Sequence, residues 1–218
     1  MLSTKNVQSS TGSSFKKTLS PGNHLAKIYD LELQNGYNPG SMQIILRVEG
    51  PAIGPEFDGF LKDKNNPGGP KFTGQVGRVR LSPYAFEDKT FADGSKVTRD
   101  QSMLVALDRL AMSAGVQTEV KNINASDWND MINQAKKFLV GKSLNLCIGA
   151  KEYTNKQGYK EYDLFLPRPK EGKYSHVSAT DNSNLMTYDA NTHIIKEKAA
   201  ATVDHFEPAV SADDDFNI

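Results

Sequence analysis

Histidine, cysteine, serine and carboxylate side chains are the usual carriers of reaction chemistry, and their spacing in this chain builds no reactive set. The histidines, His24, His176, His193 and His205, are scattered, and the single cysteine, Cys147, has no histidine near it in sequence to activate it. Gly141-Lys142-Ser143 resembles the end of a phosphate-binding loop. That motif needs a glycine five residues before Gly141, where Lys136 stands, and it needs a strand, then a loop, then a helix. Here a helical pattern comes first and a strand pattern follows. No carboxylate pair is placed by spacing for acid–base work. The expectation is a protein that is not an enzyme and uses no cofactor and no metal.

A different chemistry is available where aromatic rings alternate with cations. The segment 143–169 reads as a hairpin turning at Asn155–Gly158. If Leu144, Leu146 and Ile148 point inward, strand parity puts Lys151 and Tyr153 on the outer face. On the returning arm the outer set is Tyr159, Glu161, Asp163 and Phe165, with Lys156 and Lys160 beside the turn and Arg168 beyond. Two earlier strands offer Arg47, Arg78 and Arg80 outward, and the loop between them carries Phe60, Lys62, Lys64 and Lys71. Rings of this kind stack on bases, at about 1–3 kcal/mol each, while the cations follow phosphates, so the pattern suits single-stranded nucleic acid. The small outward residues Asn145, Cys147 and Gly149 leave room for a strand to lie close. The competing reading is a plain cross-strand pair of Tyr153 with Tyr159, on a hairpin kept soluble by its lysines.

The elements that must hold these residues follow from periodicity. Residues 24–33 and 41–50 read as strands, the second with Met42, Ile44, Leu46 and Val48 alternating against Gln43, Arg47 and Glu49. A Gly- and Pro-rich loop leads to a third strand at 75–81, with Val79 and Leu81 inward. Two amphipathic helices follow. The first, at 99–114, has Thr98 and Gln101 as a capping box, and the second, at 127–140, opens on Ser126. The hairpin supplies the last two strands. The order predicts a mainly β chain with helices (α+β): a five-stranded OB-fold barrel with a helical insertion between strands 3 and 4. An SH3-like barrel or a small sandwich has the same strand count. The expected division is a flexible N-terminus at 1–20, the barrel domain at 21–174, a linker at 175–212 and a tip at 213–218.

Composition narrows the setting. The chain has 218 residues, 38% of them hydrophobic, enough to bury one core. It has no apolar run that spans a membrane and no apolar leader near Met1, so a cytoplasmic protein is expected. Net charge is zero but unevenly spread. Five of the 26 acids and none of the 26 bases lie from Asp204 onward, so residues 1–203 carry 21 acids against 26 bases, about +5. The chain finishes on Asp213-Asp214-Asp215-Phe216-Asn217-Ile218. Three carboxylates followed by Phe216 and Ile218 suit capture by a partner with a basic rim and an apolar pocket.

Taken together, a basic OB-like body, a polar linker and the ending "DDDFNI" resemble the single-stranded DNA-binding proteins of bacterial and phage replication. The hairpin "GKSLNLCIGAKEYTNKQGYKEYDLFLPR" is similar to the closing hairpin of the phage type. The resemblance covers 20–170 loosely and 213–218 more sharply. Bacterial members end Pro-Phe, whereas here Phe216 is third from last. The resemblance implies a protein that coats single-stranded DNA and recruits replication or recombination proteins through Asp213, Asp214, Asp215, Phe216 and Ile218. A recombination or annealing accessory protein, and a phage structural or assembly protein using its β-domain as an interface, are the alternatives.

Overall fold

Apolar alternation places one face of each long strand in the core. A computed structural model describes residues 17–51, 72–158 and 160–197. The long strands are β2 (Gly22–Asn35), β3 (Met42–Pro51), β4 (Phe72–Arg80), β7 (Ser143–Thr154) and β8 (Lys160–Phe165). Shorter ones are β1 (Lys17–Thr18), β5 (Lys89–Thr90), β6 (Lys96–Val97), β9 (His176–Ser178) and β10 (Ile194–Ile195). Ile44, Leu46 and Val48 of β3, Val79 of β4, and Leu144, Leu146 and Ile148 of β7 all lie in one buried cluster.

The five long strands close on themselves in the order β4, β3, β2, β7, β8 and back to β4. Every pairing is antiparallel except the last, where Val79 and Arg80 of β4 run parallel to Leu164 and Phe165 of β8. This is the mixed, closed barrel of an OB-like α+β fold, as the strand order predicts. β2 serves two partners, with residues 22–27 on β7 and residues 27–35 on β3. The register shift between Ile28 and Asp30 falls just after that handover, where a bulge bends the strand.

The insertion between β4 and β7 holds α1 (Arg99–Ser113), α2 (Gln117–Lys121) and α3 (Trp128–Leu139). Met103, Leu107, Leu110 and Ala111 of α1, with Ile132, Ala135 and Leu139 of α3, join the same core. The Thr98 capping box is present: Gln101 N–H donates to Thr98 Oγ1 at 3.2 Å and Thr98 N–H to Gln101 Oε1 at 3.0 Å. α3 is capped by Asp127 rather than Ser126, because the Asp127 carboxylate accepts from Asp130 N–H at 2.9 Å. The indole N–H of Trp128 donates to Asp100 at 2.9 Å and ties the two longer helices together.

The ends of the barrel domain differ from expectation. Residues 17–19 are part of the fold: β1 runs parallel to β4, and Leu19 is buried. Residues 175–197, expected as linker, are laid on the barrel. β9 pairs with Leu144–Leu146 of β7, and β10 runs parallel to Ala150 and Lys151. A single helical turn, α4 (Ala190–His193), lies between them. The cause is geometric. β7 pairs with β2 only as far as Ile148 and with β8 only from Gly149, so half of each edge is left open for another segment to take. Phe60, Lys62, Lys64, Lys71, Tyr159 and the tip 213–218 lie outside the described residues. No helix among those described is long and apolar enough to cross a membrane.

Candidate nucleic-acid interface

Two loops and the closing hairpin meet at one end of the barrel. The loop joining β2 to β3 is closed by Gly36 N–H on Ser41 O at 2.8 Å and Ser41 N–H on Asn38 O at 3.1 Å. A Cβ on Gly36 would stand 2.2 Å from Ser41 Oγ and 2.7 Å from Ala85, so only glycine lets this loop pack on the one after β4. That second loop is held in turn by a backbone exchange between Met42 and Phe86 (3.0 and 2.7 Å) and by Asn38 donating to Glu87 at 3.1 Å. The two loops therefore present Tyr37, fully exposed, and Tyr84, 58% exposed, from a stapled frame.

Between these loops and the hairpin runs a groove of about 970 Å³. Four of the sequence-predicted residues line it: Arg80, Lys151, Tyr153 and Arg168. Tyr37, Tyr84, Lys89 and Lys196 line it too, and sequence reasoning did not single them out. The only signal for the two tyrosines was a ring set among turn residues, in "NGYNPG" and "SPYAF".

Tyr153 is oriented by its neighbour. The register opposes Tyr153 to Glu161 and Thr154 to Lys160, so the expected pair of Tyr153 with Tyr159 is replaced by Tyr153 with Glu161. The phenol donates to Glu161 Oε2 at 2.6 Å, and Asn155 donates to Glu161 Oε1 at 2.7 Å. The Tyr153 bond holds the Glu161 carboxyl below its ordinary range, and the same bond raises the Tyr153 phenol. The Arg168 guanidinium lies 5.6 Å from the centre of the Tyr84 ring, within cation–π range.

The other expected residues fall elsewhere. Arg47 and Arg78 lie further along the outer face of β3 and β4 and are already paired. Arg47 Nε donates to Glu32 at 2.8 Å, while Arg78 is 3.8 Å from the same carboxylate and donates to Gln34. Arg80 is 11% exposed and reaches Asp163 at 3.0 Å, a distance of ionic contact without hydrogen-bond alignment, since its Nε and that Nη find no hydrogen-bond partner. Lys156 is exposed at the hairpin turn, outside the groove lining, and Lys160 belongs to β8.

Phe165 requires a correction. Parity puts it on the outer face as expected, opposite Gly149, but it is only 3% exposed and offers no ring to stack on. The small residues beside it are covered as well. Cys147 is fully buried, and burial pushes its thiol up to about 11. Asn145 donates to Ser178 O and Ala179 O at 3.1 and 3.0 Å. The space expected for a nucleic-acid strand is filled by the chain's own residues 175–193.

The charge of the groove is mixed. Arg80, Lys89, Lys151, Arg168 and Lys196 face Glu87, Glu152 and Glu197, so the aromatic rings must carry much of any binding. Among the described residues no three His, Cys, Asp or Glu side chains converge as a metal site. No protein-family model matches the chain, and no curated protein matches it in sequence.

Proposed function

We propose that the protein binds single-stranded DNA along this groove, in the cytoplasm of a cell that hosts a phage-type replicon, without catalysing a reaction. The observation that carries the reading is the alternation, along one cleft, of the Tyr37, Tyr84 and Tyr153 rings with Lys89, Lys151, Arg168 and Lys196. Bases stack on the rings irrespective of sequence, while the cations follow the backbone. The position also supports it: OB folds hold oligonucleotides between the loop joining their first two strands and the hairpin joining their last two. Coating would keep the strand unpaired and shielded from nucleases during replication and recombination. The tip, Asp213 to Ile218, recruits partner proteins.

The test is fluorescence anisotropy with a labelled dT oligonucleotide and with a duplex, at several salt concentrations. Preference for the single strand is expected. If the four exposed cations each neutralise one phosphate, log affinity falls with log salt at a slope of about −3. Equal binding of duplex, or none at low salt, removes the reading. One observation favours a second reading, an assembly protein: α1 leaves Leu104, Val105 and Met112 exposed. That protein would show no salt-sensitive DNA binding.

A further inference from the structure

Beside the hairpin, part of the groove's lining is supplied by residues 195–197, the end of a segment laid back over the barrel. After β9 the chain returns over the outer face of β2 and β7. Met186 N–H donates to Tyr174 O at 2.9 Å. Asn23, on β2, clamps the segment from below: its Nδ2 donates to Met186 O at 2.8 Å, and Tyr188 N–H donates to its Oδ1 at 2.7 Å. α4 then crosses Gly149 so closely that a Cβ there would stand 2.7 Å from His193 O and 2.9 Å from the Phe165 ring. β10 follows on Ala150 and Lys151, and Thr154 Oγ1 donates to Glu197 at 2.7 Å. Ile195, Lys196 and Glu197 emerge as lining of the groove.

This segment is lightly held. Between residues 186 and 197 only Met186 is buried; Tyr188, Ile194 and Ile195 are half-buried, and the remaining attachment is polar or main-chain. Segments with few buried apolar contacts open locally at low free energy, well below global unfolding. Lys196 on the segment and Lys151 beneath it both face the groove, so a phosphate lying there touches both sides of the joint.

We propose that residues 186–197 form a hinged strap that completes the groove, and that a bound single strand holds it shut. The proposal rests on the reading of the groove as a single-strand site. Strap closure and binding are then one coupled equilibrium, and opening is suppressed by a factor approaching 1 + [L]/Kd.

Cys147 reports the strap, being the only cysteine, buried, and within electrostatic reach of Tyr188 on the strap. The full chain is reacted with a small disulfide reagent, with and without a dT oligonucleotide at about a hundred times its Kd, beside anisotropy on the same samples. Slow labelling is expected, slowed further by the oligonucleotide by roughly tenfold to a hundredfold. Asn23→Ala, which removes two hydrogen bonds from the strap, should speed labelling by about tenfold or more. Anisotropy showing saturation with an unchanged or faster labelling rate overturns the strap while leaving the groove intact. No anisotropy change overturns both. An unchanged rate in Asn23→Ala, or a rate that climbs with low urea as steeply as global unfolding, shows that Cys147 is reached another way and removes the hinge.

Discussion

Tyr84 and Tyr153 are the residues on which the binding reading can be weighed most directly. Each has a ring in the groove and a polar neighbour, Arg168 or Glu161, that limits its orientations, so less rotamer freedom is lost when a base stacks. Tyr84→Ala or Tyr153→Ala should weaken oligonucleotide binding by roughly 1–3 kcal/mol each, with little change in folding. Tyr153→Phe keeps the ring and loses only the Glu161 bond, so it should stay much closer to the parent. Anisotropy at fixed salt checks all three, and full affinity in both alanine variants returns the rings to ordinary surface residues. Phe165→Ala belongs to a different class: it removes a buried ring, and its effect should be a loss of stability of about 3–5 kcal/mol. Legibility divides at this scale along physical lines. Lys151, Tyr153 and Arg80 were readable because a strand alternates faces. Phe165 shows the limit, since parity gives the face and says nothing of what covers it. Tyr37 and Tyr84 sit in loops, where no period exists to read.

Among the elements, the strands and two longer helices were legible for one reason: their stability comes from burying a periodic apolar face, and that face is written in the residue order. The segment 175–197 was not, because it is held by main-chain bonds to open edges of β7 and by the Asn23 and Asn145 amides. Such contacts leave no apolar pattern. One of its anchors is titratable. His176 Nδ1 lies 2.9 Å from Ser113 Oγ, linking β9 to α1, and burial, with the Arg109 charge nearby, pushes its imidazole down to about 4. The neutral ring is the folded form, so the unfolded chain binds more protons between pH 4 and 6.5. The His176 contribution is complete above about pH 6.5 and is lost as pH falls toward 4. It amounts to about 2 kcal/mol, once the part of the ring that faces the cavity beside Arg109 is allowed for. Urea unfolding at pH 7, 5.5 and 4.5 should show that decline, and His176→Gln should flatten it. A decline of the same size in the variant would assign it to carboxylates instead.

For the molecule as a whole, charge is separated along a chain whose sum is zero. The last fifteen residues hold five acids and no Lys or Arg, against a body of about +5. Tip carboxylates and phosphates are the same kind of ligand for Lys89, Lys151, Arg168 and Lys196, so the two compete wherever the tip can approach the groove. On the proposed function, binding to DNA would need nothing from the tip, whereas recruitment of a partner would need its acids and its two apolar side chains together. Removing residues 213–218 should therefore leave single-strand affinity unchanged at high salt. It should tighten affinity at low salt, with the gap closing as the Debye length shortens from about 10 Å at 0.1 M toward 3 Å at 1 M. Co-purification of replication or recombination proteins from the host should be lost in the same truncation. Titrating the full and truncated chains against one oligonucleotide across that salt range decides the matter. If truncation weakens DNA binding, the last six residues are part of the DNA site and the charge of the tip has been assigned to the wrong partner. If affinity holds and recruitment disappears, the neutral total is the sum of two oppositely charged working surfaces, one for the strand and one for the proteins that act on it.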